Sequence, residues 1–209
     1  IFFGNLAACA QKNIKRMLGL SGVAHAGYLL VAVMASMHFA GDSDRAIWVL
    51  FFYLFIYLLA SFAVFGVMGV ARLEDDTEHE FSNYEDLAKK HPWLGFVLIA
   101  GIGSLAGIPP FAGFVAKLLL ISVAYEAKLY FSLAAMVIGV VISIFYYFGW
   151  MREITFHPKP SFSDEENEEE KMDPWSSVPR MGVFKFSMLA LAISSLVLGI
   201  WQGPFGDAF

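Results

Sequence analysis

The chain has 209 residues and a formal net charge of −5. It is 58% hydrophobic and only 16% charged, against roughly 45–50% and roughly 25% for soluble domains. A water-soluble globule could not hide that much apolar surface, so the composition identifies an integral membrane protein. The acid sits in loops and no basic stripe accompanies it, which excludes a nucleic-acid partner. A single cysteine, Cys9, excludes an internal disulfide and any CxxC metal site. The five histidines are scattered, with no HExxH, so no metal site is expected.

A membrane core needs about 20 residues of helix per crossing. No period-two pattern of short strands occurs, so the spans are expected to be helical. Residues 1–10 read as the end of a truncated transmembrane helix, and a start at Ile1 fits a fragment of a longer polytopic chain. Gln11–Arg16 is a polar, basic turn. Met17–Phe39 and Ala46–Val70 are full spans joined by the short turn Gly41–Arg45. Ala71–Pro92 is a charged loop in which Asn83–Lys90 suits a short interfacial helix.

The next apolar stretch, residues 93–124, is too long for one upright helix. Gly107, Pro109 and Pro110 interrupt it, and tandem prolines remove donors and clash with the preceding turn. Two half-helices are expected, Trp93–Ala106 and Phe111–Ala124. Leu129–Trp150 is the next span, so residues 11–150 hold four spans including the broken helix 93–124. Residues 151–181 form an acidic loop containing the run Asp164–Lys171. Gly182–Trp201 is the last span, and residues 182–209 comprise that span and a tail, Gln202–Phe209.

Alternate loops give a topology. The turn at Gln11–Arg16 and the loops 71–92 and 151–180 carry Lys12, Lys15, Arg16, Arg72, Lys89, Lys90, Arg152, Lys159, Lys171 and Arg180. The opposite face has Arg45 and Lys128 alone. That asymmetry puts the three basic loops in the cytoplasm. Lys185, just inside the last span, can snorkel to the same side.

Lys117 is the informative ionisable group. It lies seven positions beyond Pro110, inside the second half-helix. A lysine in mid-membrane costs roughly 2.5–3.5 kcal/mol even on insertion scales. A lysine held at that depth can lose and regain a proton, which is the chemistry of a proton carrier. The neighbouring break frees carbonyls and helix ends that can hold an ion or water. A structural ion pair is the competing reading, although no acid lies mid-span here.

His25 lies near the middle of its span in Ser21-Gly-Val-Ala-His25-Ala-Gly-Tyr28. Imidazole can pass a proton between its two nitrogens. Tyr28 falls on nearly the same face and Ser21 one turn back, so the three can line a hydrated strip. A neutral histidine bonded to a neighbouring helix fits equally well. Lys15 and Arg16 stand at the cytoplasmic mouth, where orientation or lipid phosphate contact accounts for them. Tyr146, Tyr147 and Ser143 read chiefly as packing residues with a capacity to hydrogen-bond inward, and His38 as interfacial.

Two stretches carry a resemblance. Gln11-Lys-Asn-Ile-Lys-Arg16-Met-Leu with Ser21-Gly-Val-Ala-His25-Ala-Gly-Tyr-Leu-Leu30 resembles the antiporter-like membrane subunits of respiratory complex I. Ser104-Leu-Ala-Gly-Ile-Pro-Pro-Phe-Ala-Gly-Phe-Val-Ala-Lys117 resembles their subunit N type, called subunit 2 in mitochondria. The M type would carry Glu at the position of Lys117 and usually Asp where Asn13 stands. Leu18-Gly-Leu-Ser-Gly-Val departs from the usual Leu-Ala-Tyr-Ser-Ser-Ile at Gly19, Leu20 and Gly22.

The resemblance implies an all-α polytopic bundle of the antiporter-like type, here the second of two inverted repeats with one Pro-broken helix. It implies a proton-translocating, non-redox subunit of the NADH:quinone oxidoreductase in a bacterial plasma membrane. Lys117 would be the terminal lysine of a polar axis, joined by His25, with Tyr28 and Lys15 as further proton-transfer candidates. This chain would bind no cofactor; NADH, flavin, iron–sulfur clusters and quinone would be used elsewhere in the complex. Partners would be neighbouring antiporter-like and small membrane subunits, lipid, and the missing N-terminal half. Two alternatives stand beside this reading: a subunit of a multisubunit cation/proton antiporter, and a scaffold subunit without proton transfer.

Overall fold

The structure is a computed structural model and describes residues 1–38, 44–70, 80–155 and 182–200. The acidic run Asp164–Lys171, the tail Gln202–Phe209 and most of the turn at Gly41–Arg45 lie outside the described residues. The described elements are helical: α1 (Phe2–Cys9), α2 (Ile14–His38), α3 (Asp44–Met68), α4 (Leu87–Lys90), α5 (Pro92–Ala106), α6 (Ala112–Glu126), α7 (Tyr130–Thr155) and α8 (Gly182–Ile200). A 3-10 turn, Phe81–Tyr84, precedes α4.

Among the described residues, four helices, α2, α3, α7 and α8, are long and apolar enough to cross a membrane. Their outward faces show why the assembly needs lipid or protein neighbours. On α3, Phe51, Phe55, Leu58, Phe62 and Phe65 are all exposed. They recur every three or four residues, one stripe of the helix. The opposite stripe, Val49, Tyr53, Ile56, Ala60, Ala63, Val64 and Val67, is buried. A helix apolar on both faces is a membrane span rather than a surface helix in water.

Local chemistry sets the ends. Asn13 caps α2, its Oδ1 accepting from the Arg16 amide at 3.1 Å while its carbonyl accepts from Met17 at 2.9 Å. Pro92 opens α5 at the position where its missing N–H costs nothing. The stretch Phe81–Lys90 folds under α7, with Tyr84 edge-on to Trp150 at 5.5 Å between centroids. The Asp86 amide donates to the Glu153 carbonyl at 3.2 Å. At the other end, Arg45 of α3 donates to both carboxylate oxygens of Glu126 at the close of α6, at 2.8 and 2.9 Å. Lys185 places its ammonium 5.7 Å from the Trp93 ring centre, a cation–π contact between α8 and α5.

The interior divides into two apolar cores. One contains Ile14, Met17, Ala63, Val64, Leu94, Leu98, Ile102, Tyr147 and Trp150. The other contains Val31, Ala32, Ala46, Val49, Ile56, Ala116, Leu120, Val123 and Met136. Buried members of α5 lie in the first and those of α6 in the second. Between the two cores the long helices carry buried polar residues: Ser21 and His25 on α2, and Ser143 on α7. Ser104 and Lys117 flank the break between α5 and α6 at the same level.

Small residues let the broken pair sit close. A Cβ on Gly101 would come 2.8 Å from Val64 and 3.1 Å from the Ala60 carbonyl, a close α3–α5 approach of the kind membrane helices use. A Cβ on Gly199 would collide with the Pro110 carbonyl and the Phe111–Ala112 backbone, so α8 braces the break directly. A Cβ on Gly113 would collide with the Ser104 carbonyl. Gly113→Ala is therefore expected to destabilise the folded subunit by about 1–3 kcal/mol or more. Gly19→Ala, inside α2 where nothing lies within 4 Å, should instead raise stability slightly, by about 0.5–1 kcal/mol. Thermal unfolding midpoints of the two variants in detergent check the contrast.

Candidate functional site

The site is built on the interruption. α5 ends at Ala106 because Gly107 adopts φ +77°, a left-handed conformation that glycine takes at no steric cost. The closure is a Schellman motif. The Ile108 amide donates to the Gly103 carbonyl at 2.9 Å, and Gly107 donates to Ser104 at 3.1 Å. That satisfies two of the four carbonyls that a helix end leaves bare. Leu105 and Ala106 remain.

Lys117 takes both. Its Nζ donates to the Leu105 carbonyl at 2.9 Å and to the Ala106 carbonyl at 2.7 Å. Side chains on a helix tilt toward its N-terminus, so a lysine in the second turn of α6 reaches back to the break. Two effects favour the cation there: charge-assisted hydrogen bonds and the negative end of the α5 dipole. Gly107 is needed a second time, because a Cβ would come 2.6 Å from Lys117 Cδ.

The start of α6 is satisfied across the gap. Ser104 Oγ accepts from the Gly113 amide at 3.1 Å, replacing the cap that Phe111 cannot provide. Pro109 and Pro110 are exposed at this level. Having no N–H, they leave no bare donor where lipid offers no acceptor.

His25 faces this arrangement from α2. Both His25 and Lys117 are 4% exposed. The His25 Nδ1 and the Tyr53 hydroxyl are 2.7 Å apart. The Tyr57 ring lies 4.8 Å from the imidazole, and Tyr28 stands edge-on at 5.9 Å. The Lys117 ammonium is 5.7 Å from the Tyr28 ring centre. A cavity of about 10 Å³ is lined by His25, Tyr53, Tyr57, Ser104 and Lys117 among others, on the scale of one water.

The fold therefore brings together Lys117, His25, Tyr28 and the break residues Gly107, Pro109 and Pro110. Lys15 is not with them. It lies at the start of α2, about 15 Å along the axis from His25. Tyr53, Tyr57 and Ser104 are further members that sequence reading passed over. Their signal was faint: two hydroxyl-tipped rings four residues apart in a Phe-rich span, and a serine just before the break. What the assembly can do chemically is hold a proton on Lys117, with His25 across a space the size of a water molecule.

The model of the NADH:quinone oxidoreductase/Mrp antiporter transmembrane family matches residues 1–143. The chain belongs to that family. It is similar to NADH-quinone oxidoreductase subunit N 1 of Opitutus terrae, 45% identical over 206 residues, covering 99% of this chain and 39% of that protein. Subunit N of Ectopseudomonas mendocina is 37% identical, with 98% and 39% covered. The chain thus spans about two fifths of the length of these relatives. Among solved structures, respiratory complex I from Thermus thermophilus with bound aureothin aligns with a TM-score of 0.77 and 28% identity, over 97% of this chain and 41% of that one. The Mrp complex from Dietzia sp. DQ12-45-1b aligns with a TM-score of 0.71 and 24% identity, over 97% and 42%, which establishes the shared fold. The chain is an all-α polytopic membrane bundle of the antiporter-like type.

The His25–Tyr53 pair yields a stability expectation. Tyr53→Phe removes the hydroxyl that partners the buried imidazole nitrogen, at a cost of about 1–3 kcal/mol. Thermal unfolding of the purified subunit should register that loss, and an unchanged midpoint would count against the pairing.

Proposed function

We propose that this chain is the second-repeat portion of a proton-translocating membrane subunit of NADH–quinone oxidoreductase. The observation that carries this reading is Lys117: buried, seated on the two bare carbonyls of a broken helix, and sharing a cavity with His25. Similarity to subunit N over nearly the whole chain supports the choice of complex. The redox chemistry, with its NADH, flavin, iron–sulfur clusters and quinone, belongs to partner subunits. The membrane is a bacterial plasma membrane, with Lys15 and Arg16 on its cytoplasmic side.

In this mechanism the Lys117 ammonium is the loaded state. While protonated it grips Leu105 and Ala106. When it passes the proton on, the charge that favours the α5 end is lost and the grip weakens. A water in the shared cavity connects Nζ to the imidazole, whose two nitrogens can take a proton on one side and release it on the other. Tyr53 orients that ring, and the Tyr28 ring face stabilises the ammonium. Conformational change driven by the redox partners sets which side Lys117 exchanges with.

The family description also names the Mrp antiporter, which favours a second reading, a subunit of a multisubunit cation/proton antiporter. Copurification decides between them: flavoprotein and iron–sulfur subunits for the first, a redox-free assembly for the second. A scaffold without proton transfer is the third possibility that experiment can separate. Lys117→Ala in the assembled complex should lower proton flux and coupled oxidoreductase activity by about tenfold or more. Reconstituted flux, with assembly checked on a native gel, measures it. Intact pumping with impaired assembly would make Lys117 purely structural and overturn the proposal.

A further inference from the structure

Lys185 is a cation that its own bundle engages on one side only. It stands in the first turn of α8 and is exposed. Its ammonium lies 5.7 Å from the centre of the Trp93 ring, at the start of α5. That ring is fixed: Trp93 packs against the apolar core, and Phe184 stands edge-on to it at 6.4 Å. The ring face holds the ammonium from one side, yet an ammonium carries three donors. Among the described residues no carboxylate pairs with Lys185. The ion pairs there join Arg45 to Glu126, Lys89 to Asp86 and Arg152 to Glu153.

The surface around this cation is apolar and faces outward. Val183 and Phe186 are 83% and 75% exposed. Of the four long helices α8 is the least enclosed, with 17% of its apolar stretch buried against 28–44% in the others. Its exposed residues Phe186, Ala190, Ile193 and Val197 recur every three or four positions, which makes one stripe. The stripe is about 16 Å long, close to the depth of one leaflet, half of a hydrocarbon core about 30 Å thick. Phe96, one turn beyond Trp93, adds an exposed ring on α5. A partner that fits is therefore anionic at one end and apolar over a leaflet's depth. A soluble anion meets the first requirement alone, and an apolar helix the second alone.

We propose that Lys185 and Trp93, with the apolar stripe of α8 beneath them, form a binding site for an anionic phospholipid. The lipid phosphate accepts charge-assisted hydrogen bonds from the donors of Lys185 that the ring leaves unused. An acyl chain lies along the stripe from Phe186 toward Val197. Trp93 is a positioning residue: its ring holds the ammonium at the level of the headgroup, so less freedom is lost when the anion arrives. A zwitterionic lipid brings an ammonium of its own, which Lys185 repels, and the site discriminates on that difference. The inference is independent of proton translocation and needs only that the chain lies in a bilayer.

The test uses the intact complex carrying the full-length subunit, in nanodiscs of phosphatidylglycerol and phosphatidylcholine in equal amounts. The photo-crosslinking amino acid p-benzoylphenylalanine stands in place of Phe186, and mass spectrometry identifies what it captures. The site predicts lipid adducts in which phosphatidylglycerol exceeds phosphatidylcholine by about fivefold, the preference that one lysine near the surface supplies. Lys185→Gln should bring the two lipids to parity. Lys185→Arg, which keeps the charge and stacks on the ring, should retain the preference. Lys12→Gln removes a charge from the same membrane face, away from Trp93, and should leave the preference unchanged. Parity without any substitution at Lys185, or a preference that survives Lys185→Gln, overturns the site. A preference lost equally in Lys12→Gln makes the attraction diffuse and overturns it as well. Capture of a peptide shows that protein covers this face, and loss of the preference on adding inorganic phosphate assigns Lys185 to the free anion; either result overturns the lipid site. Should Lys185→Gln fail to assemble, Lys185→Met decides by the same criterion.

Discussion

One ammonium on two carbonyls holds the centre of this protein. A helix that stops inside a membrane leaves bare acceptors, each costing about 1–3 kcal/mol when buried. A lysine at the same depth costs roughly 2.5–3.5 kcal/mol. Lys117 on Leu105 and Ala106 lets each defect satisfy the other. Each is costly alone, and together they form one buried, mutually satisfied polar point.

The division of the interior into two cores gives that point its surroundings. α5 is anchored in one core and α6 in the other, so the pair is fixed at both ends and interrupted only between them. Gly107 supplies the turn, Ser104 caps the second half and Gly199 brings α8 against the loop. The buried polar side chains Ser21 and His25 of α2 find partners on other helices at this level, in Tyr147 and Tyr53. Serines elsewhere in the spans, such as Ser36 and Ser194, bond instead to carbonyls of their own helix.

Much of this was legible in the sequence. The interruption shows in Gly107 and the tandem prolines because those residues act through the local backbone, which needs no tertiary information. Lys117 stands out because charge at that depth is expensive whatever its neighbours. Helix ends were less legible: α7 runs to Thr155, five residues past the expected Trp150, held by the segment Phe81–Lys90 packed beneath it. Partner choice was not legible at all. Nothing local says that His25 meets Tyr53 on α3 or that Ser104 caps a helix nine residues ahead. Tyr146 and Tyr147 read chiefly as packing, and their bonds to Asn5 and Ser21 come from how three helices assemble. The placement of Lys15 at a helix end, apart from the cluster, likewise follows from length along α2 rather than from residue type.

A density map of the intact membrane-embedded assembly, at a resolution that resolves ordered water, tests the central claim most directly. The account predicts Lys117 enclosed at the interruption, its nitrogen on the Leu105 and Ala106 carbonyls or a water between them, with further water reaching His25. Lys117 pointing into lipid, beside a helix that runs straight through Gly107–Pro110, would contradict it.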